Sequence, residues 1–150
     1  MLRTMNRNCL SVLLLACMLC GCSPSTTTFA GFTFGGGGHT FSAEPAELEL
    51  GDTTSTLRAG LPDQDVHLLL EWPSQAKTFQ GDPIKLNSAK VKVLSRGESD
   101  RLTEGEIVLQ ARQKEIGHGS FDFKVKLEDG REFRVVGSFT AKIQEIPPQE

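Results

Sequence analysis

No cysteine occurs beyond Cys22 in this chain of 150 residues; Cys9, Cys17, Cys20 and Cys22 all lie at its N-terminal end. Everything after that point is without a disulfide, a thiolate metal site or a cysteine nucleophile. Four cysteines inside so short a stretch would staple nothing in a domain. Basic residues are also scarce. Arg3 and Arg7 are the only charges before Cys22, so 14 of the 16 Lys and Arg remain beyond it against 19 Asp and Glu, a net of −5. That balance lacks the basic stripe that phosphate backbones require, so nucleic acid is not an expected partner. It equally lacks a polybasic membrane patch. The three histidines, His39, His67 and His118, stand at no ligand spacing, whereas a zinc site needs three or four ligands. They read as separate, solvated or partly buried imidazoles, and no metal or other cofactor is expected.

A long apolar run is missing too. Cys9–Cys20 is apolar apart from Ser11, but a helix of about a dozen residues spans about 18 Å, short of the roughly 30 Å of a bilayer core. A positively charged start, a short apolar stretch and small residues after it describe a signal peptide. The stretch ends Leu19-Cys20-Gly21-Cys22. This resembles the lipobox of bacterial lipoproteins: a branched apolar residue, two small residues and the cysteine that carries lipid. Cys20 departs mildly from the usual alanine or serine but is small. The resemblance implies cleavage between Gly21 and Cys22, diacylglyceryl transfer to the Cys22 thiol and acylation of the new amine. Two or three acyl chains make release from a membrane very slow, where one gives only marginal binding. Ser23, rather than aspartate, follows the lipidated position, which in Gram-negative lipoproteins implies the outer membrane, facing the periplasm. The resemblance covers residues 1–22 and leaves the activity of the rest open.

Residues 22–47 read as a lipidated cysteine and a flexible tether, rich in Ser, Thr and Gly with four glycines at Gly35–Gly38. A flexible chain of that length has an end-to-end distance of roughly 25–30 Å. Phe29, Phe32, Phe34 and Phe41 do not suit a plain spacer, because disordered tethers usually lack aromatics. Three readings stand for them: a strand of residues 26–34 packed on the domain, rings dipping into the lipid interface, or a partner-docking segment. The glycine run is not a phosphate loop, for no Gly-Lys-Ser/Thr follows.

Residues 48–150 read as a β-rich domain, with apolar residues recurring at period two. Phe121, Phe123, Val125 and Leu127 share one face of a strand, with Asp122, Lys124 and Lys126 on the other. Phe133, Val135, Phe139, Ala141 and Ile143 share a face with Gly137. Matching apolar faces requires paired numbers with an even sum. A two-residue Asp-Gly turn breaks that parity. A three-residue loop, Glu128–Gly130, pairs Leu127 with Arg131, Val125 with Phe133, Phe123 with Val135 and Phe121 with Gly137, with Gly130 left-handed in a type I turn with a bulge. Asp65–Trp72 and Lys85–Leu94 read as strands, and Ala46–Leu50 as a strand opening the sheet. Thr103 with Glu106 matches a capping box, yet Ile107, Leu109 and Ala111 alternate with polar neighbours, and adjacent strands favour a strand here. The class expected is all-β: a small antiparallel sandwich or partly open barrel after a signal peptide (1–21) and a tether.

No catalytic constellation can be named. Gly117-His118-Gly119-Ser120 sets a histidine near a hydroxyl but reads as a glycine turn before a strand, with no Gly-x-Ser-x-Gly elbow. Asp63-Gln64-Asp65 begins like a calcium loop but lacks its glycine and terminal glutamate. Glu98–Arg101 reads as a charged turn, and the acid pairs Glu104 with Glu106 and Glu128 with Asp129 as solvated. The function expected is a membrane-anchored, non-enzymatic binding or structural module with a possible envelope protein partner. The alternative is a carrier of a small lipophilic ligand, with the phenylalanines of the last hairpin lining a pocket.

Overall fold

The computed structural model describes residues 26–36, 38–74, 79–93 and 97–147. Among the described residues the alternating pattern forms strands and no α-helix. In chain order these are β1 Phe29–Phe34, β2 Thr40–Ala43, β3 Ala46–Leu50, β4 Thr54–Ala59, β5 Val66–Pro73, β6 Pro83–Lys85, β7 Ser88–Val93, β8 Gly97–Ser99, β9 Leu102–Gln113, β10 Ile116–Lys126 and β11 Glu132–Glu145. They build one sheet in the order β6-β9-β10-β11-β3-β4-β5-β7-β8, with β1 and β2 branching from β11. The pairing of β11 with β3 is parallel; the other pairings are antiparallel.

The branch arises because β11, at 14 residues, takes two partners along one edge. Its first part, Val135–Thr140, pairs with β1, and Lys142–Glu145 pairs with β3. The chain also crosses three times between the two ends of the sheet, from β5 to β6, from β6 to β7 and from β8 to β9. At the crossing from β6 to β7, Leu86 N donates to Gly105 O at 3.0 Å, and Asn87 N donates to Glu71 O at 2.8 Å. At the crossing from β8 to β9, Ser99 Oγ donates to Lys126 O at 2.7 Å, and Lys126 N donates to Arg101 O at 2.9 Å. These short links draw the two ends together, and the sheet curls into a half-barrel, as expected for an all-β, partly open barrel.

The interior is filled by one face of each long strand. Phe32 and Phe34 of β1, Leu48 of β3, Leu57 of β4, Leu70 and Trp72 of β5, Val91 of β7, Ile107 of β9 and Phe123 of β10 are all fully buried. Burying a side chain of this size stabilises by about 1.5–3 kcal/mol, which is why the period-two pattern fixes which way each strand faces.

The final hairpin has the register that face-matching requires. Lys126 pairs with Glu132, Val125 with Phe133, Phe123 with Val135 and Phe121 with Gly137. Leu127 N donates to Arg131 O at 2.8 Å, and Gly130 closes the turn by donating to Leu127 O at 3.0 Å. Gly130 has φ 86°, a left-handed conformation costly for other residues. At Gly137 an added Cβ would lie 2.3 Å from Gly31 O and 2.7 Å from Phe121 Cζ, so the ring covers bare backbone. The β9 segment is a strand throughout, against the capping-box alternative.

Three expectations need correction. The tether expected over residues 22–47 is, in its described part, largely strand, so the domain starts well before Leu48. Phe32 and Phe34 are buried, and β1 pairs along its length with β11 while also holding β2. Gly35, Gly36 and Gly38 take positive φ and form the turn between β1 and β2. The glycine run is thus a reversal point, and the buried rings repay the ordering of the segment. The second correction concerns Gly117-His118-Gly119-Ser120, which lies within β10 rather than in a turn. Gly117 and Gly119 face inward, where Leu48 with Phe79 and the ring of Phe139 take the space a side chain would fill. Glu98 and Ser99, expected in a turn, belong to β8.

Candidate functional site

Cys22 and Gly21, the residues expected to carry lipid and the cleavage point, lie outside the described residues, as does the whole signal segment. The described chain begins at Thr26, four residues after Cys22. At about 3.5 Å per residue, covalent geometry keeps Thr26 within about 14 Å of the Cys22 Cα. The surface around Thr26 is therefore the part of the half-barrel that an anchor at Cys22 would hold against a bilayer.

That surface is an open groove of about 840 Å³ lined by Thr26, Thr28, Gln113, Lys114, Glu115, Ile116 and Lys142. Three local features build it. Thr28 Oγ1 accepts from Ala46 N at 3.2 Å, which fixes the incoming chain beside β3. Lys114 and Glu115 form the two-residue turn between β9 and β10, with Lys114 at φ 56°. Glu115 O accepts from Ile143 N at 2.7 Å, locking that turn to β11. Arg112 Nη1 contacts Glu145 Oε1 at 2.7 Å, so this neighbouring cation is paired. None of these groove residues stood out in the sequence. Their only local signal is a Lys-Glu pair between two alternating segments, which looks like any polar turn.

A second polar surface covers the outer face of β6, β9, β10 and β11. Lys85, Glu104, Glu106, Asp122, Lys124 and Arg134 surround a depression of about 450 Å³ at Gly105. Arg134 grips Asp122 with two bonds, Nε to Oδ1 at 2.9 Å and Nη2 to Oδ2 at 2.5 Å. The Arg134 hydrogen bonds hold the Asp122 carboxyl below its ordinary value and raise the guanidinium. Lys124 Nζ lies 2.5 Å from Glu104 Oε1, which lowers the carboxyl and raises the ammonium. Opposite charges cancel here and the pairs are exposed, so this face is a solvated ionic ladder contributing little stability.

His118, Ser120 and Asp122 share the outer face of β10, which sets a histidine, a hydroxyl and a carboxylate in line. Their partners point elsewhere: His118 Nδ1 lies 3.1 Å from Thr140 Oγ1, and Asp122 is held by Arg134. His67 is buried on β5 beside Lys92 of β7. Loss of hydration, then the charge of Lys90, holds its imidazole below the ordinary value of 6.5. His39 is exposed, just before β2. The three histidines are thus set in separate places by the fold. Asp63-Gln64-Asp65 is an exposed loop between β4 and β5, closed by Gln64 N donating to Leu61 O at 3.0 Å. Glu128 and Asp129 sit in the exposed final turn, where Asp129 bonds Arg131.

The four tether phenylalanines divide by position. Phe32 tilts against Phe41 and Phe121, with ring centroids 6.1 and 6.3 Å away, and Phe34 stacks on Phe133 at 5.0 Å. Phe29, first in β1, is 37 % exposed. No protein-family model matches the chain, and no curated protein or solved structure is similar enough to serve as a relative.

Proposed function

We propose that the chain is a bacterial envelope lipoprotein, fixed to a membrane through acylated Cys22, whose half-barrel is a non-enzymatic binding or structural module. The observation that carries the reading is the Leu19-Cys20-Gly21-Cys22 box after a short apolar stretch, with β1 beginning only seven residues beyond Cys22. So short a connection seats the module at the membrane surface. In a Gram-negative host, Ser23 favours the outer membrane, facing the periplasm. The module reading draws support from an interior occupied by aromatic rings in mutual contact. A lipophilic carrier instead needs a wide apolar cavity, and the grooves at Thr26 and Gly105 have charged walls.

The test replaces the sulfur that would carry the lipid. Cys22→Ser should abolish palmitate incorporation and move the protein from the detergent phase to the aqueous phase. Labelling and partitioning that survive the substitution would refute the assignment.

A further inference from the structure

We propose that the groove at Thr26 binds a zwitterionic phospholipid headgroup, one that carries both a phosphate and a primary ammonium. The inference deepens the lipoprotein reading and rests on it. Its first support is position. Thr26 forms part of the groove wall and lies within about 14 Å of the residue that would hold the lipid. The occupant in constant supply there is a headgroup of the leaflet holding the anchor.

Charge is the second support. The wall presents two ammonium groups, Lys114 and Lys142, and one carboxylate, Glu115. Arg112 takes Glu145, and among the described residues Lys114 and Lys142 have no carboxylate within ion-pair distance. Two ammoniums complement a phosphate diester, and a carboxylate complements an ammonium. Ile116, half-buried in the same wall, offers apolar surface to the glycerol end. The rest of the exported chain is net acidic, which opposes simple attraction to an anionic leaflet. Recognition therefore depends on matching both headgroup charges. Rigidity is the third support, because the Lys114-Glu115 turn is tied to β11 through Ile143 N and does not need ordering on contact.

The experiment uses the mature lipoprotein purified with its lipid and reconstituted in phosphatidylcholine vesicles containing either phosphatidylethanolamine or phosphatidylglycerol. Vesicle flotation reports anchoring, and amide hydrogen exchange reports headgroup contact. The opposite turn at Glu128–Gly130, about 33 Å away along β10, is the internal reference, and unanchored Cys22→Ser protein is the free state. The expected result is slower exchange at Gln113–Ile116 in phosphatidylethanolamine vesicles, no change at Glu128–Gly130, and loss of the slowing in Glu115→Gln and Lys142→Gln. Both substituted positions are exposed, and unchanged Trp72 fluorescence verifies that the variants fold. A wild-type protein that fails to float overturns the anchor. One that floats while Gln113–Ile116 exchanges as in the free state overturns headgroup binding. Equal slowing with phosphatidylglycerol, or slowing that persists in Glu115→Gln, overturns the ammonium assignment.

Discussion

Replacing Phe32 by alanine separates a tether from a structural strand. Phe32 is 1 % exposed, lies against Phe41 and Phe121, and its Cβ would be 2.6 Å from a side chain added at Gly137. The position facing Phe32 on β11 is Gly137, which has no side chain to refill the space, so the site collapses poorly. The loss is then the full cost of a buried phenylalanine, about 3–5 kcal/mol. With a urea dependence of about 2 kcal/mol/M, the unfolding midpoint should fall by about 1.5–2.5 M. Trp72, the single tryptophan and fully buried, reports the transition by fluorescence in protein carrying Cys22→Ser. Phe29→Ala, at the exposed start of the same strand, is the control and should cost under about 1 kcal/mol. A Phe32→Ala midpoint equal to that of the parent would refute the placement of β1 in the core and restore the flexible spacer.

Acidification should destabilise the domain through His67. Its imidazole is held below 6.5 by burial first, then by Lys90, Arg58 and Lys92, with Glu98 opposing. As pH falls through about 6.5 the unfolded chain takes up the proton before the folded one, so this contribution is full above that value and is lost below it. Urea midpoints should be lower at about pH 5 than at about pH 7.5, and His67→Gln should flatten the difference; a midpoint that rises on acidification contradicts the assignment. Gly130→Ala puts a side chain at φ 86° and should cost about 1–2 kcal/mol, read by thermal unfolding, with the hairpin register kept. Gly137→Ala sets a Cβ 2.3 Å from Gly31 O. Backbone cannot yield there as a side chain can, so a loss of about 1–3 kcal/mol or more is expected, and a neutral melting temperature would show that β1 does not pack where described.

What the sequence made legible was local. The β10–β11 hairpin joins neighbouring segments, so face parity and one Asp-Gly signal sufficed for its register. The β9 segment was legible for the same reason, since alternation outweighed a capping box. For β1 a strand over residues 26–34 was among the readings, but its partner was hidden because it lies far along the chain: Thr33 bonds Val136, 103 residues away. Local composition around Gly35–Gly38 suggests freedom, and only the antiparallel pairing of β1 with β2 shows that the chain reverses there. Phe32 and Phe34 were the clue that a spacer does not explain. The parallel contact of β3 with β11 was equally hidden, and so was the groove, where the Lys114-Glu115 turn meets Lys142 of β11. Gly117 and Gly119 misled because glycine marks a turn in one context and a ring against bare backbone in another.

The most direct measurement of the central claim is the mass of the N-terminal peptide of the mature protein taken from membranes of its host. The account predicts a peptide beginning at Cys22 and heavier than its sequence by a diacylglyceryl group, with or without a further acyl chain. A peptide that retains the residues before Cys22, or that begins there with a free thiol and amine, would contradict it.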